Sequence, residues 1–119
     1  MPKREPVSEG VSMGIKSQRK GRSGELELVR VLNDNGIPAR PGDPVSYGST
    51  PDVVGVPGIH PEVKRVEKLN VHTAMSQAVR DADKFKDGLP AVFHRRNRTE
   101  WLVTMKLTDW IRLYKRFGE

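Results

Sequence analysis

Hydrophobic residues recur at helical spacing in three parts of the chain, and this pattern predicts three helices. The first runs from Ser23, a suitable N-cap residue, to a stop at Gly36. The second covers residues 73–86 and has one apolar and one polar face. The third begins at Thr108 and carries several aromatic and aliphatic residues toward the end of the chain.

Short apolar stretches between these helices are typical of strands, because prolines, glycines or polar residues bound them. Pro57 and Gly58 suit the middle of a type II turn, so the second and third strands are predicted to form a hairpin. The expected α/β fold has the order α-β-β-β-α-β-β-α, with a central mixed sheet flanked by helices. The predicted strands cover residues 37–40, 52–56, 62–66, 91–94 and 100–105.

The amino-acid composition limits the class of protein. A chain of 119 residues with 35% hydrophobic residues can form one core, which excludes a two-domain enzyme. Cysteine is absent and only three histidines are present, so any metal is expected to be bound mainly by oxygen. The sequence has neither a long apolar stretch nor the apolar run of a signal peptide, so we expect an intracellular, cytoplasmic protein without a membrane partner.

The excess of positive charge is concentrated at the start of the chain. The formal net charge is +6, which favours a polyanionic partner such as nucleic acid. Residues 1–22 are basic and lack apolar periodicity, which predicts a flexible arm before a single domain at residues 23–119. Such an arm can bind phosphates by counterion release, or it can be a solubilising tail. The residues predicted to contact DNA are Lys16, Arg19, Lys20, Arg22, Arg95, Arg96 and Arg98.

The charged residues most suggestive of chemistry lie between residues 50 and 65. Strand alternation puts Glu62 and Lys64 on one face and Val63 on the other, and the predicted hairpin brings Asp52 to the same edge. Two carboxylates suit a hard divalent ion, and a lysine beside them can orient an attacking water. The alternative is a structural ion pair between neighbouring strands at the protein surface.

Glu25 lies on the apolar face of the first predicted helix, where an unpaired carboxylate is costly. It is therefore expected either to pair with a cation or to reach toward a metal at the site. The alternative is a charge that only complements the dipole at the N-terminus of the helix. Glu27 lies on the outer side of that helix and is predicted to form a surface ion pair with Arg30. His60 lies two residues before Glu62 and is interpreted as a structural residue of a turn, with a position at the rim of the cleft as the alternative. Trp110 is interpreted as part of the core or of a subunit interface.

Several of these segments resemble the PD-(D/E)XK nuclease superfamily. Pro51-Asp52 matches the PD element, and Glu62-Val63-Lys64 matches (D/E)XK. The sequence KGRSGELELVRVL at residues 20–32 is similar to the first helix of archaeal-type Holliday junction resolvases. Gln77 falls where many members place a polar residue facing the site. Residues 90–110 resemble the closing strands of that family and of small phage-encoded relatives.

This resemblance implies a restriction-endonuclease-like fold and a Mg2+-dependent endodeoxyribonuclease, with Mn2+ as a substitute. It implies that Asp52, Glu62 and the backbone carbonyl of Val63 bind the metal, and that Lys64 serves the nucleophilic water. Glu25 and Gln77 complete the expected catalytic set.

Resolvases of this type act as homodimers on four-way junctions, and the resemblance points to a bacterial, phage or archaeal host. Two alternatives remain open. One is a nuclease of the same fold that acts on flaps, nicks, ends or duplex DNA, and the other is a non-catalytic basic module that binds nucleic acid.

Overall fold

The computed structural model describes residues 9–43 and 50–118, with side chains from residue 21 onward. The order of the elements is α-β-β-β-α-β-β-α, as predicted. The elements are α1 (Glu9–Asp34), β1 (Arg40–Pro41), β2 (Val53–Val54), β3 (Ile59–Arg65), α2 (Val71–Phe85), β4 (Leu89–Arg95), β5 (Leu102–Met105) and α3 (Leu107–Phe117).

The main sheet of the described residues has the strand order β3-β4-β5. Strand β3 pairs with β4 in parallel, with Glu62 opposite Val92, and β4 pairs with β5 in antiparallel orientation. Because parallel neighbours need a crossover connection, α2 links β3 to β4. The predicted mixed sheet is confirmed for β3, β4 and β5, whereas β1 and β2 form a separate two-stranded sheet. Within the described residues β3 is an outer strand of the mixed sheet.

The predicted hairpin between the second and third strands is wrong. Strand β2 pairs with β1 in a separate antiparallel sheet. The turn itself forms, since Gly58 has φ +83° and the Ile59 N–H donates to the Val56 carbonyl at 3.1 Å. However, Gly55 also takes a positive φ of +84°, so the chain changes direction before it reaches the turn. The hydrogen-bonded ladder of a hairpin therefore does not form between β2 and β3.

Two apolar clusters pack against opposite faces of β3 and β4. Val29 of α1 packs with Ala39 and Val53, and Val63 extends this cluster. On the other face, Ala74 and Ala78 of α2 pack with Val92, together with Leu69 and Met75. Because side chains alternate along a strand, Glu62 faces α2 while Val63 faces α1, as the sequence predicted.

Helix α1 begins at Glu9 rather than at Ser23. The backbone of residues 9–22 is therefore helical where a flexible arm was predicted, and Lys16, Arg19 and Lys20 lie on this helix. Extending a helix costs much less than nucleating one, so α1 can continue into a segment without an apolar face. Residues 1–8, the remainder of the predicted arm, lie outside the described part of the chain.

Glu27 connects α1 to the main sheet and does not form the predicted pair with Arg30. One of its carboxylate oxygens lies 3.5 Å from Arg65 Nε, and the other accepts from Trp101 Nε1 at 3.1 Å and from Arg95 Nη1. The sequence-based interpretation considered only neighbours along the helix, whereas the three partners come from β3, β4 and the loop before β5. A carboxylate shared in this way is only partly exposed.

Helix α3 has a strongly amphipathic sequence, but its apolar side chains remain exposed. Trp110 stacks on Tyr114 with ring centroids 5.1 Å apart, and 49% of Trp110 is accessible, so it is not part of the core. The buried residue of this helix is Asp109, which lies 3.9 Å from Lys106 Nζ and from Arg112 Nη1. Within residues 9–43 and 50–118, the structure contains no helix long and apolar enough to cross a membrane.

Candidate active site

Strand β3 positions Glu62 and Lys64 side by side on the face that α2 covers. Glu62 is almost fully buried, with 3% of the residue accessible. Lys64 Nζ lies 3.6 Å from Glu62 Oε2 and donates a hydrogen bond of 2.8 Å to Gln77 Oε1 of α2. The structure thus brings together three of the predicted site residues, and it gives the Lys64 ammonium a defined direction.

Asp52 reaches the same place from the start of β2. It lines a cavity of about 170 Å3 together with Glu62 and Gln77. The backbone around Asp52 is held closely, because the Gly42 N–H donates to the Asp52 carbonyl at 2.9 Å. A Cβ at Gly42 would lie 1.8 Å from the Pro51 carbonyl oxygen, so this approach requires glycine.

Glu25 of α1 lies beside Asp52 on the other side of this edge. Burial and the neighbouring Asp52 carboxylate raise the pKa of Glu25 from 4.5 to about 7, although Arg22 at 3.7 Å acts in the opposite direction. The carboxylates of Glu25 and Asp52 repel each other when both are ionised, so a bound cation would be favourable here. The predicted proximity of Glu25 to the site is present in the structure.

Val63 contributes its backbone between Glu62 and Lys64, while its side chain packs into the cluster around Val29.

The arginines of the β4–β5 region that are predicted to contact DNA differ in their surroundings. Arg95 donates to Glu27 and to the Thr99 carbonyl, so its guanidinium is engaged within the protein. Arg96 and Arg98 are exposed at the turn between β4 and β5.

Sequence reasoning missed the most buried polar group of the site, which is His60. The residue is 2% accessible, and its Nδ1 lies 2.9 Å from both carboxylate oxygens of Asp87. Its Nε2 lies 3.6 Å from Glu62 Oε1. Burial lowers the pKa of His60, but the carboxylates of Glu62 and Asp87 outweigh this effect and raise the pKa above its usual value of 6.5.

Asp81 was also missed as a site residue. It lies on α2 and lines the same cavity, and its carboxylate is within 4.8 Å of the ligand atoms of His60 and Glu62. A signal for both residues was present in the sequence. His60 and Glu62 are two positions apart on a strand, and Gln77 and Asp81 are four apart on a helix, so each pair shares a face.

The other two histidines lie apart from this group. His94 Nε2 is 2.9 Å from Thr104 Oγ1, and burial lowers the pKa of His94. His72 is exposed on α2. Neither of them lines the cavity around Glu62.

The donor set of the cavity fits a divalent cation. It contains the carboxylates of Asp52, Glu62 and Asp81, and Glu62 is too deeply buried to be solvated by bulk water. Hard cations such as Mg2+ are bound by carboxylate oxygens and waters, and the cavity can hold both. Two lysines accompany these acidic residues: Lys84 lines the cavity, and Lys64 Nζ lies 3.6 Å from Glu62 Oε2.

Comparison with protein-family models, with curated proteins and with solved structures finds no match to this chain. Any function must therefore be argued from the residues and their geometry.

Proposed function

We propose that this protein is a Mg2+-dependent endodeoxyribonuclease of the PD-(D/E)XK type with a restriction-endonuclease-like fold. The observation that supports the proposal best is the position of Asp52 and Glu62 on one cavity, with Lys64 hydrogen-bonded to Gln77, which lines the same cavity. These are the residues whose spacing resembles the superfamily motif. Their convergence depends on contacts between β2, β3 and α2 that the motif alone does not require.

The proposed metal ligands are Asp52, Glu62 and the backbone carbonyl of Val63, with Glu25 close to Asp52. A bound Mg2+ supplies Lewis-acid polarisation of a phosphodiester and compensates its negative charge. Lys64 orients the attacking water and stabilises charge that develops on the phosphate oxygens. Gln77 acts as a positioning residue, because its Oε1 accepts from Lys64 Nζ and holds the ammonium beside Glu62.

DNA is the proposed substrate, and a four-way junction is the preferred form of it. The net charge of +6 favours a polyanion, and exposed arginines are present at the turn that joins β4 to β5. Lys16, Arg19 and Lys20 on α1 would extend the contact with the phosphate backbone. Flaps, nicks, ends and duplex DNA are alternative substrates for the same chemistry, and the cytoplasm is the proposed location.

A homodimer is part of the proposal, since a resolvase needs two active sites across a junction. The exposed apolar surface of α3 and β5 supports it. Leu102, Val103, Leu107 and Phe117 are 57%, 55%, 69% and 87% accessible. Exposed apolar side chains that form a contiguous patch are typical of interaction surfaces.

Cleavage of labelled four-way junctions and of matched linear duplex, in Mg2+ and in EDTA, tests this function. We expect paired symmetric cuts in the junction that require Mg2+. Asp52→Asn and Lys64→Ala should abolish cleavage while DNA affinity changes by only a few-fold. The matched controls Asp34→Asn and Lys68→Ala alter exposed residues away from the cavity and should cleave normally.

The competing function is a non-catalytic module that binds nucleic acid through its basic residues. It is favoured by the ion pair between Lys64 and Glu62, which can be purely structural. This alternative predicts DNA binding that is unaffected by Mg2+ and no cleavage of any substrate. Cleavage by the Asp52 and Lys64 variants at the rate of the unmodified protein would remove these residues from the mechanism.

A further inference from the structure

The imidazole of His60 has one nitrogen without a hydrogen-bond partner. Its Nδ1 is held by Asp87 at 2.9 Å, whereas its Nε2 is buried and has no partner in the structure. A neutral imidazole that donates from Nδ1 to a carboxylate carries a lone pair on Nε2. The Asp87 contact therefore both orients the ring and selects the tautomer that is able to bind a metal.

Two acidic groups lie near His60 Nε2, in a cavity that Lys84 and Phe85 also line. Glu62 Oε1 lies 3.6 Å away, which is longer than the roughly 3.2 Å limit of a good N–H···O hydrogen bond. Asp81 completes a group whose ligand atoms all lie within 4.8 Å of one another. A lone pair and two carboxylates directed at the same point repel one another, and either a proton on Nε2 or a cation bound between them relieves this repulsion.

This spacing suits a single ion. Two ligand atoms bound at about 2.1 Å in a tetrahedral site lie roughly 3.4 Å apart. The distance of 3.6 Å between His60 Nε2 and Glu62 Oε1 is close to that value. Small side-chain movements would therefore be enough to close the site around a cation.

We propose that His60 Nε2, Glu62 and Asp81 bind a divalent transition-metal ion in preference to Mg2+, with Asp87 as the residue that positions the imidazole. The proposal rests on the proposed nuclease function and deepens it, because the added ion shares Glu62 with the proposed Mg2+ ligands and has a metal preference of its own. Imidazole is a better ligand for Zn2+ than for Mg2+, which prefers oxygen ligands and retains its waters. His60 would thus give the acidic cavity a selectivity that carboxylates alone do not provide.

Calorimetric titration of the full chain with ZnCl2, MnCl2 or MgCl2, without DNA, tests the proposal. We expect the affinity to decrease in the order Zn2+, Mn2+, Mg2+. His60→Gln should weaken Zn2+ binding by about 10-fold to 100-fold and leave Mg2+ binding within about 3-fold. His72→Gln removes an exposed histidine of α2 and should leave all three affinities unchanged.

Because His60 is buried, its replacement can unfold the protein, so a second variant is required. Asp81→Asn alters a residue at the edge of the cavity and should weaken Zn2+ binding, while Asp83→Asn on the exposed face of α2 should not. In the NMR spectrum, Zn2+ should shift the ring signals of His60 and leave those of His72 in place. The proposal would be overturned if the Asp81→Asn variant bound Zn2+ as tightly as the unmodified protein and Zn2+ did not shift the ring signals of His60.

The nuclease function can fail independently of this site. Lys64→Ala should retain the preference for Zn2+, because Lys64 is not a ligand. Selective Zn2+ binding without cleavage of any DNA would reject the nuclease and support the metal site. If the protein cleaves DNA but its Zn2+ affinity does not change when His60 or Asp81 is replaced, the nuclease is supported and the metal site is rejected.

Discussion

Replacement of Glu25 by glutamine should stabilise the protein at alkaline pH. Glu25 is 14% accessible and lies beside Asp52, and the two carboxylates are unfavourable when both are ionised. Glutamine has nearly the same shape as the protonated glutamic acid but never acquires its charge. The variant therefore retains the packing of α1 and removes the repulsion.

The size of the effect follows from the pKa. The pKa of Glu25 is about 7 in place of its ordinary 4.5, and one pKa unit corresponds to about 1.4 kcal/mol. The upper limit is therefore about 3 kcal/mol, and solvent screening at a partly exposed site reduces the expected gain to about 1–2 kcal/mol. The folded state binds this proton more tightly than the unfolded chain, so ionisation of Glu25 lowers the free energy of unfolding as the pH rises from about 4.5 to about 7.

Urea unfolding in EDTA at pH 4 and at pH 8 measures this difference. We expect the two proteins to have equal stability at pH 4, where Glu25 is protonated in both states. At pH 8 the variant should be the more stable by about 1–2 kcal/mol. Glu100→Gln removes an exposed carboxylate and should change stability by less than about 0.5 kcal/mol. Equal stabilities of the Glu25 variant and the unmodified protein at pH 8 would refute the proximity of Glu25 to Asp52.

Three further outcomes are expected. Gln77→Ala removes the acceptor that directs Lys64, so cleavage should slow by about 10-fold in single-turnover kinetics while DNA affinity, measured by fluorescence anisotropy, stays the same. Gly42→Ala introduces a Cβ that collides with the Pro51 carbonyl oxygen, next to Asp52, so Mg2+ binding in calorimetry should weaken by about 10-fold. Unchanged binding would mean that the backbone at Gly42 does not position the Asp52 carboxylate. Phe117→Ser removes the most exposed apolar residue of α3, and sedimentation equilibrium should show a weaker dimer, whereas an unaltered dimer would locate the interface elsewhere.

Most of the secondary structure could be predicted because it depends on residues close in the chain. The period of the apolar positions identified α2 and α3 to within a few residues, and the Pro57-Gly58 turn forms as predicted. The start of α1 could not be predicted in this way. Helix α1 extends back to Glu9 because adding turns to an existing helix costs little, even through a segment whose sequence lacks an apolar face.

The candidate site was predicted in part for the same reason. The positions of Glu62 and Lys64 follow from strand alternation alone, and their contact needs no distant residue. His60 was taken for a turn residue, because the sequence does not show that Asp87, 27 positions away, approaches its imidazole. A histidine becomes a candidate ligand only when its burial and its partners are known.

The sequence by itself determined the order of the elements, the face of each residue on β3 and the concentration of acidic and basic groups near the motif. These properties depend on backbone geometry and on side chains within a few positions of one another. The tertiary structure decided that β3 pairs with β4 rather than with β2, and that Glu27 binds to the sheet. It also decided that Asp52, Glu62 and Asp81 face one cavity, because strand pairing and helix packing depend on contacts between residues that are distant in the chain.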